Sequence, residues 1–234
     1  MQNRLLAATA LSTTIAFLVP ASAFAQAAPY NWTGFYTGFT FGGMESRSTL
    51  DTTYGGTYTV PSHIDLPRLG PSASVVGGYN IQNGQYVYGV EGDFGILPLE
   101  GTTTTPNYTV EDKLNALLTL RGRFGIAQDR LLVYGTAGIA AGQASFTSDI
   151  GKGSSGTYAQ ASGSGTVVGP VVGVGMEYAL TDKLSAKLEG KVFDLGTISG
   201  VGDTGKGAGG APDPYTATYH PRGAILSTGL NLHF

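Results

Sequence analysis

The chain ends in residues 226–234, LSTGLNLHF, where an apolar residue or Thr occupies every second position and Phe comes last. A period of two is the pattern of a β-strand with one apolar face. The apolar face carries Leu226, Thr228, Leu230, Leu232 and Phe234. A strand of this kind that ends in an aromatic residue is typical of the closing strand of a transmembrane β-barrel. The stretch therefore predicts an all-β fold of amphipathic strands.

The opposite end of the chain carries an export signal. Residues 1–25 contain one basic residue, Arg4, then an apolar run over 5–19, and then the small-residue site Ala23-Phe24-Ala25. This is the layout of a cleavable signal peptide. The run is too short for a spanning helix, and no later stretch reaches the ~18 consecutive apolar residues that such a helix needs. We expect a signal peptide at 1–25 and one exported domain at 26–234.

The composition narrows the class of protein. The 234 residues include 37 Gly and 13 Tyr, 12% are charged, and none is Cys. So few charges without a helical span fit a barrel whose apolar surface lies on alternate residues. A Gly-rich chain could also be disordered, but the 10% aromatic content argues against that. Removing Arg4 leaves 12 of the 13 basic residues against 16 acidic ones, a net charge of −4, which speaks against binding to nucleic acid.

The hydrophobic pattern predicts eight strands and connections of alternating length. Tight turns are expected at 83–84, 128–130 and 181–183. The segments at 46–70, 97–112, 147–162 and 197–215 are long and rich in Gly, Ser, Thr and Pro. The sequence thus predicts an eight-stranded antiparallel transmembrane β-barrel with short periplasmic turns and four long extracellular loops. The strands are expected at about 32–44, 72–82, 85–96, 113–127, 131–146, 166–180, 184–195 and 218–234.

Two local patterns set the expected registers. Asn83-Gly84 is a type I′ hairpin signal, and a two-residue turn there makes Ile81 face Tyr86. In the fourth strand, simple alternation places Leu114 on the lipid side together with the apolar residues at 116, 118, 120, 124 and 126.

Charged residues share the face opposite the apolar one. Four acids and four bases alternate with the lipid-facing residues, and they lie on neighbouring strands. We expect Glu91 or Asp93 to lie near Arg121 or Arg123, and Glu177 to lie near Lys187 or Lys191. The cluster could be a proton relay or a selectivity filter, but a neutral polar core is favoured because a barrel of this size has room only for its own side chains. The expected lumen cluster is Glu91, Asp93, Arg121, Arg123, Glu177, Lys187, Glu189 and Lys191.

Aromatic residues gather near the periplasmic ends of the expected strands. They predict an interfacial aromatic girdle, whereas a ligand-stacking platform would need residues from one side of the circumference. The expected girdle is Trp32, Phe35, Tyr79, Tyr86, Phe124, Tyr178 and Phe234.

The three histidines were the best candidates for catalysis or ligation. His233 is expected to face the lumen, whereas His63 and His220 fall in or beside extracellular loops without a recognisable partner. Solvated loop histidines are the simplest interpretation. The alternative is ligation of hemin or a metal by His63 and His220 with the help of Tyr54, Tyr58 and Tyr215.

The carboxy-terminal strand also carries an assembly pattern. Gly229, Leu232 and Phe234 occur at the spacing polar-x-Gly-x-x-apolar-x-aromatic that begins at Ser227. This spacing resembles the insertion signal that the barrel-assembly machinery reads in outer-membrane proteins, although a second aromatic is more frequent at the position of Leu232.

Several motifs together resemble the opacity-type small outer-membrane barrels of alphaproteobacteria. The resemblance implies an eight-stranded barrel that is called "porin family" in name only. It also implies an abundant surface antigen that supports envelope integrity, and some members bind hemin or host surfaces. The motifs are NWTGFYTG at 31–38, YVYGVEGDFG at 86–95, LRGRFG at 120–125, LVYGTAG at 132–138, VGMEYALTD at 174–182 and AKLE at 186–189.

Three functions follow as hypotheses. The first is a structural surface barrel of the bacterial outer membrane with no open pore. The second is a receptor that binds hemin or a host surface through its loops, and the third is a narrow channel. The expected partners are outer-membrane lipid, lipopolysaccharide and the barrel-assembly machinery. No catalytic residue, metal site or cofactor is expected, and neither is nucleic-acid binding.

Overall fold

The computed structural model describes residues 30–54, 62–150, 159–203 and 214–234, so the expected signal peptide lies outside the described residues. Within these ranges no helix is long and apolar enough to cross a membrane. The strands are β1 Gly34–Tyr54, β2 His63–Asn83, β3 Tyr86–Thr104, β4 Tyr108–Gln128, β5 Leu131–Ile150, β6 Ala159–Ala179, β7 Leu184–Asp194, β8 Ile198–Asp203, β9 Pro214–His220 and β10 Arg222–His233.

The strands form one closed antiparallel ring. Consecutive strands pair from β1 to β7, β7 pairs with β10, and β10 pairs with β1 to close the barrel. The hairpin of β8 and β9 joins the ring where β9 pairs with the outer part of β1. β8 continues the path of β7, and β9 continues into β10 across Pro221. Each of these two pairs counts as one strand of the barrel, so the ten strands make an eight-stranded ring. The expected eight-stranded barrel is confirmed.

Lipid-facing side chains form an apolar band around the barrel. On β3 the outward residues are apolar from Tyr86 to Ile96, and on β6 from Tyr178 to Val168. These lengths match the ~9–11 residues of a tilted membrane strand. Beyond the band the outward residues become polar or charged, as with Lys113 on β4. The short turns lie at the opposite end, which is the periplasmic end in barrels of this type.

The first hairpin differs from its predicted register. The turn is Gly84-Gln85, with Gly84 at φ 61° and Asn83 paired with Tyr86. A positive φ at the first central residue alone is the pattern of a type II′ turn, which suits Gly. The expected pairing of Ile81 with Tyr86 is therefore wrong, since Ile81 pairs with Tyr88. The shift is even, so the apolar faces of β2 and β3 still coincide.

A β-bulge on β4 reverses the direction in which the side chain of Leu114 points. The register changes between Ile96 and Leu99 on β3 and between Leu114 and Ala116 on β4. The bulge around Asn115 shifts the alternation by one position. Leu114, expected to face lipid, is instead buried in the lumen.

The described residues of the four predicted long loops are mostly strand, whereas residues 55–61, 151–158 and 204–213 of these loops lie outside the described part of the chain. β1 extends as far as Tyr54, and β2 begins at His63. The strand pairs β3–β4 and β5–β6 are longer than predicted in the same way. The barrel wall therefore continues well beyond the apolar band. In this extension most apolar side chains point inward and the outer surface is mainly polar, which is the reverse of the pattern in the membrane.

The interior has three layers. The extracellular half holds an apolar core, in which Leu50, Leu66, Leu114, Phe146 and Tyr219 are fully or almost fully buried. The middle holds the charged residues. The periplasmic end is filled by a second cluster of Tyr30, Trp32, Val87, Ala127, Leu132, Tyr134 and Ala179.

Candidate functional site

The charged side chains of four strands meet in the middle of the barrel. They point inward because each lies one position away from a lipid-facing residue: Glu91, for example, is next to Val90, whose side chain is exposed. Each has at most 4% of its surface exposed. The residues are Glu91 and Asp93 on β3, Arg121 and Arg123 on β4, Glu177 on β6, and Lys187, Glu189 and Lys191 on β7.

Arg121 is the centre of this cluster. Its Nη2 donates to Glu91 Oε1 at 2.5 Å and to Asp93 Oδ2 at 2.8 Å, and its Nη1 donates to Glu189. The remaining donors reach Thr136 Oγ1 at 2.9 Å and, from Nε, Thr119 Oγ1 at 3.1 Å. One guanidinium thus ties carboxylates from β3 and β7 together, as its planar set of donors allows.

Arg123 forms a second centre nearer the periplasm. Its Nη2 donates to Glu177 Oε2 at 2.5 Å and its Nη1 donates to Tyr36 Oη at 3.1 Å. The Tyr36 hydroxyl in turn donates to Glu91 Oε2 at 2.7 Å. The guanidinium carbon lies 3.8 Å from the centre of the Tyr134 ring, which is a cation–π contact.

The two lysines complete the neutralisation of the β3 acids. Lys187 Nζ lies 2.9 and 2.8 Å from the two carboxylate oxygens of Glu91 and 3.2 Å from Glu189 Oε2. Lys191 Nζ lies 3.0 and 2.9 Å from the oxygens of Asp93. Since four acids meet four bases, the buried cluster has no formal net charge.

The structure changes one expected pairing. Glu177 is opposite Lys187 in the β6–β7 ladder, yet its ion pair is with Arg123. Lys187 instead crosses the lumen to Glu91, and Lys191 crosses it to Asp93. In so narrow a barrel a long side chain reaches an opposite strand, so pairing along the ladder does not decide the partner. Glu177 thus lies beside Lys187 in the ladder, as expected, but the base that neutralises it is Arg123.

Aromatic residues close the cluster on its periplasmic side. His233 is almost buried, with Nε2 2.9 Å from Ser185 Oγ and 3.2 Å from Glu177 Oε1, and it contacts the rings of Tyr30, Trp32 and Tyr36. Its expected lumen position is therefore the one observed. Trp32 was expected in the lipid-facing girdle, but it is fully buried. Trp32 precedes β1, and its side chain turns inward, like that of Tyr36, to contact Tyr30 and His233.

The other expected girdle residues lie on the outside of the barrel. Phe35, Tyr86, Phe124, Tyr178 and Phe234 are exposed and Tyr79 is partly exposed. They come from strands all around the ring, which is the distribution of an interfacial girdle.

The sequence did not reveal the apolar layer above the charges. Its signal was present in pairs such as Ile64-x-Leu66 and Leu97-x-Leu99, which were hidden among Gly, Ser, Thr and Pro. Within this layer Arg68 Nη2 donates to Asp112 Oδ1 at 2.7 Å and to Thr103 Oγ1 at 3.0 Å.

The histidines on the extracellular part have partners that the sequence did not indicate. His63 Nδ1 lies 2.7 Å from Asp51 Oδ1 and its Nε2 lies 3.4 Å from Asp65 Oδ1. His220 Nε2 lies 2.5 Å from Asp194 Oδ1. The hydrogen bond that His63 donates to the Asp51 carboxylate raises the pKa of His63 above its usual value. The expectation that these histidines lack partners is wrong.

The expected hemin-binding residues do not share one surface. Tyr215 is fully buried inside the barrel, where its hydroxyl lies 2.7 Å from Ser148 Oγ, whereas His63 is exposed. Tyr58 and the side chain of Tyr54 lie outside the described part of the chain. Among the described residues, no group of three or more His, Asp or Glu side chains could hold a metal ion.

The assembly pattern lies along the seam that closes the barrel. Phe234 follows the end of β10 with 75% of its surface exposed, and its N–H donates to Phe35 O at 3.0 Å. Leu232 also faces outward. Gly229 lies where β10 approaches β1 closely, since a Cβ there would come within 2.1 Å of Phe39 O.

Solved structures support the barrel. Outer membrane protein OprG from Pseudomonas aeruginosa gives a TM-score of 0.52 at 10% identity, covering 88% of this chain and 99% of that one. The outer membrane protease OmpT from Escherichia coli also gives 0.52, at 7% identity, covering 89% of this chain and 99% of that one. At such identities the likeness concerns the fold alone.

Sequence comparisons give the family. The model for the outer membrane protein beta-barrel domain matches residues 13–234. The 22 kDa outer membrane protein of Rhizobium leguminosarum bv. viciae is 33% identical over 171 residues, covering 73% of this chain and 69% of that protein. The 31 kDa outer-membrane immunogenic protein of Brucella melitensis is 30% identical over 179 residues, covering 71% of this chain and 72% of that protein. The chain therefore belongs to the outer-membrane β-barrel family found in these alphaproteobacteria, and it is a protein of the bacterial outer membrane.

Proposed function

We propose that the protein is a structural barrel of the outer membrane that carries no open pore. The observation that supports this most strongly is the lumen cluster around Arg121 and Arg123, which joins β3, β4, β6 and β7 across the middle of the barrel. An eight-stranded barrel is just wide enough for its own side chains. Opening a water path through the cluster would leave buried ions without partners, and each such ion is costly.

The layers on either side of the charges favour the same function. On the extracellular side an ion would have to cross an apolar core that includes Leu50, Leu66 and Leu114. On the periplasmic side it would meet Trp32 and His233. Ions without a hydration shell or a polar lining face a high barrier in such layers.

The outer surface supports a role in the envelope. The apolar band anchors the barrel in the bilayer, and the strands of the extension continue beyond the band on its extracellular side. The name of the Brucella relative calls that protein immunogenic. We propose that this chain likewise presents its extracellular end at the cell surface.

The conductance of the purified barrel in a planar bilayer tests this function. We expect no stable steps above the leak of the bilayer, measured with full-length processed protein in symmetrical KCl. An inactive preparation is excluded by showing that the same sample has the heat-modifiable gel mobility of a folded barrel. Stable steps from folded protein would instead favour the narrow channel.

Binding of hemin or of a host surface remains the alternative function. In its favour is a surface extension with two histidines, but His63 and His220 each contact an aspartate and Tyr215 lies on the other side of the wall. A hemin titration followed by the Soret band separates this alternative. Saturable binding that His63→Ala and His220→Ala abolish would favour the receptor.

We propose no enzymatic activity. The similarity to the protease OmpT is one of fold at 7% identity. In the part of the chain that the structure describes, His63 and His220 each contact an aspartate and neither contacts a hydroxyl. His233 does contact Ser185 and Glu177, but it is buried against the rings of Tyr30, Trp32 and Tyr36, so no open cleft gives a substrate access to this serine.

A further inference from the structure

The lipid-facing wall carries a groove of about 860 Å³. It crosses the outer half of the apolar band on β2, β1, β10, β7 and β6. Its floor contains Gly43, Gly190 and Ala224, and Glu45 also lines it. Leu69 and Val174, which are 84% and 70% exposed, stand at its two sides. A Cβ added at Gly43 or Gly190 would have no neighbouring atom within 4 Å, so both positions open onto the groove.

Two arginines lie at the outer end of this groove. Glu45 on β1 pairs with Ala224 on β10, and both line the groove. Arg47 on β1 and Arg222 on β10 each lie two residues farther toward the extracellular side. Arg222 Nε donates to the Arg47 carbonyl oxygen at 2.8 Å, which brings the two residues together. Both side chains are exposed.

The charges at this end are only partly compensated. Glu45 Oε1 accepts from Arg47 Nε at 2.6 Å, and Asp194, which faces Arg222 in the ladder, binds His220. Within the described ranges no carboxylate forms an ion pair with Arg222. Like charges on adjacent strands are unfavourable unless an anion lies between them. The terminal guanidinium nitrogens therefore offer a site for an anion at the membrane surface.

An apolar groove that leads up to two guanidinium groups fits an amphiphile with acyl chains and a phosphate. Lipopolysaccharide is the lipid of this chemistry in the outer leaflet, where the groove lies. We propose that the groove holds an acyl chain of a lipopolysaccharide molecule whose phosphate binds Arg47 and Arg222. The site lies outside the lumen, so it does not depend on whether the barrel conducts.

A second copy of the barrel fits the groove less well. Two copies that faced each other about an axis normal to the membrane would bring both arginine pairs to the same height. The four arginines would then meet only the two Glu45 carboxylates that pair with Arg47, and the remaining positive charge opposes this contact. A phosphate group would attract the arginines instead of repelling them, so a lipid is the better occupant.

Native mass spectrometry of the processed protein, extracted from outer membranes in a mild detergent, tests the proposal. The wild-type barrel is expected to retain lipopolysaccharide. Gly43→Leu with Gly190→Leu fills the groove, and Arg47→Gln with Arg222→Gln removes its charge. Each pair of changes should lower the retained fraction by about fivefold or more, which corresponds to the loss of a few contacts or one charge-assisted hydrogen bond.

Control variants add a leucine or remove an exposed cation elsewhere on the wall. Gly122→Leu adds a lipid-facing side chain on β4, where a Cβ meets its nearest atom at 3.8 Å, and Lys113→Gln removes an exposed cation beyond the band on the same strand. Both should retain as much lipopolysaccharide as wild type. Heat-modifiable mobility establishes that every variant is folded.

Three outcomes would overturn the proposal. The first is equal retention in all folded variants. The second is retention of phosphatidylglycerol in preference to lipopolysaccharide when the barrel is exposed to both. The third is a dimer that disappears in the groove-filling variant, which would assign the groove to a second copy.

Discussion

Arg121 neutralises more than one carboxylate, and its loss should be correspondingly costly. Replacing Arg121 with Met leaves three buried cations for four buried acids, so one carboxylate loses its partner. Breaking a buried ion pair from one side costs roughly 3–5 kcal/mol. We expect the midpoint of urea unfolding, measured by tryptophan fluorescence in lipid vesicles, to fall accordingly.

A second change tests whether charge balance causes this loss. Adding Glu189→Gln to Arg121→Met removes one acid that Arg121 contacts and restores neutrality, so part of the stability should return. Arg130→Ala serves as a control because its pair with Asp182 lies at an exposed periplasmic turn and should contribute at most ~1 kcal/mol. If the double variant is no more stable than the single one, charge balance is not the cause.

His63 should titrate above its usual pKa because of Asp51. The hydrogen bond that His63 donates to the Asp51 carboxylate favours the protonated imidazole, and the charges of Asp51 and Asp65 act in the same direction. The pair therefore stabilises the fold below the usual histidine pKa, and this contribution disappears as the pH rises through the raised pKa. A histidine titration by NMR should show that Asp51→Asn lowers the pKa of His63. An unchanged value would contradict the pairing.

Alternation along each strand was enough to predict which charged residues face the lumen. Glu91 and Arg121 alternate with apolar residues on both sides, so their direction follows from the pleat alone. Their partners were harder to predict because arginine and lysine side chains span the narrow lumen. The prediction for Trp32 failed for a different reason. Its position, four residues before Tyr36, indicates a side chain that faces the lumen, but a tryptophan near the end of a strand was taken as part of the girdle at the membrane interface.

The closing strand is expected to act during assembly more than in the finished barrel. Phe234 lies beyond the end of β10 with its side chain exposed, and its backbone contributes one hydrogen bond to Phe35. Deleting Phe234 should therefore reduce the amount of membrane-inserted barrel in cells several-fold. The urea midpoint of protein refolded in vitro should change by about 1 kcal/mol or less.

Phe39→Ala separates recognition from the loss of an aromatic side chain. Phe39 is also an exposed lipid-facing residue, but it lies on β1 outside the carboxy-terminal pattern. Its replacement should leave the amount of inserted barrel near wild type. Equal amounts of inserted wild type and truncated protein, measured by membrane fractionation and heat-modifiable mobility, would contradict a role of Phe234 in recognition.

The membrane part of each strand was predictable, whereas the extension was not. In the band an apolar residue at every second position gives a clear period of two. Beyond it most outward positions are Ser, Thr, Gln, Pro or charged, although Val201 is exposed, and the inward ones include small residues such as Ala144 and Ala161. Segments of this composition look like loops, although Thr itself favours strands. The bulge at Asn115 is a further local feature that an alternating pattern cannot reveal.

Along its axis the molecule changes from aromatic to charged to apolar. Each layer suits its position: the aromatic layer closes the periplasmic end, the ion network ties the strands in the membrane, and the apolar layer stabilises a wall that has water outside. The extension is thus folded like a small soluble β-barrel, with its core inside. The membrane part is held instead by polar contacts, since its apolar surface already faces lipid.

This arrangement predicts that disrupting the ion network alone will not create a channel. In a variant with Arg121→Ala and Arg123→Ala, water could enter the middle layer, but Leu66 and Leu114 would still seal one side and Trp32 the other. We expect the variant to lose several kcal/mol of stability through its unpaired carboxylates. It should show no stable conductance steps in a planar bilayer.

Adding Leu66→Ser and Leu114→Ser to that variant should raise the leak only as the barrel begins to unfold. Both leucines are fully or almost fully buried, and replacing them removes apolar packing that stabilises the extension at roughly 2–5 kcal/mol for each residue. Conductance and heat-modifiable mobility measured on the same sample decide the matter. If the double arginine variant stays folded and conducts in regular steps, then the ion network is a gate, and the apolar layer does not seal the barrel.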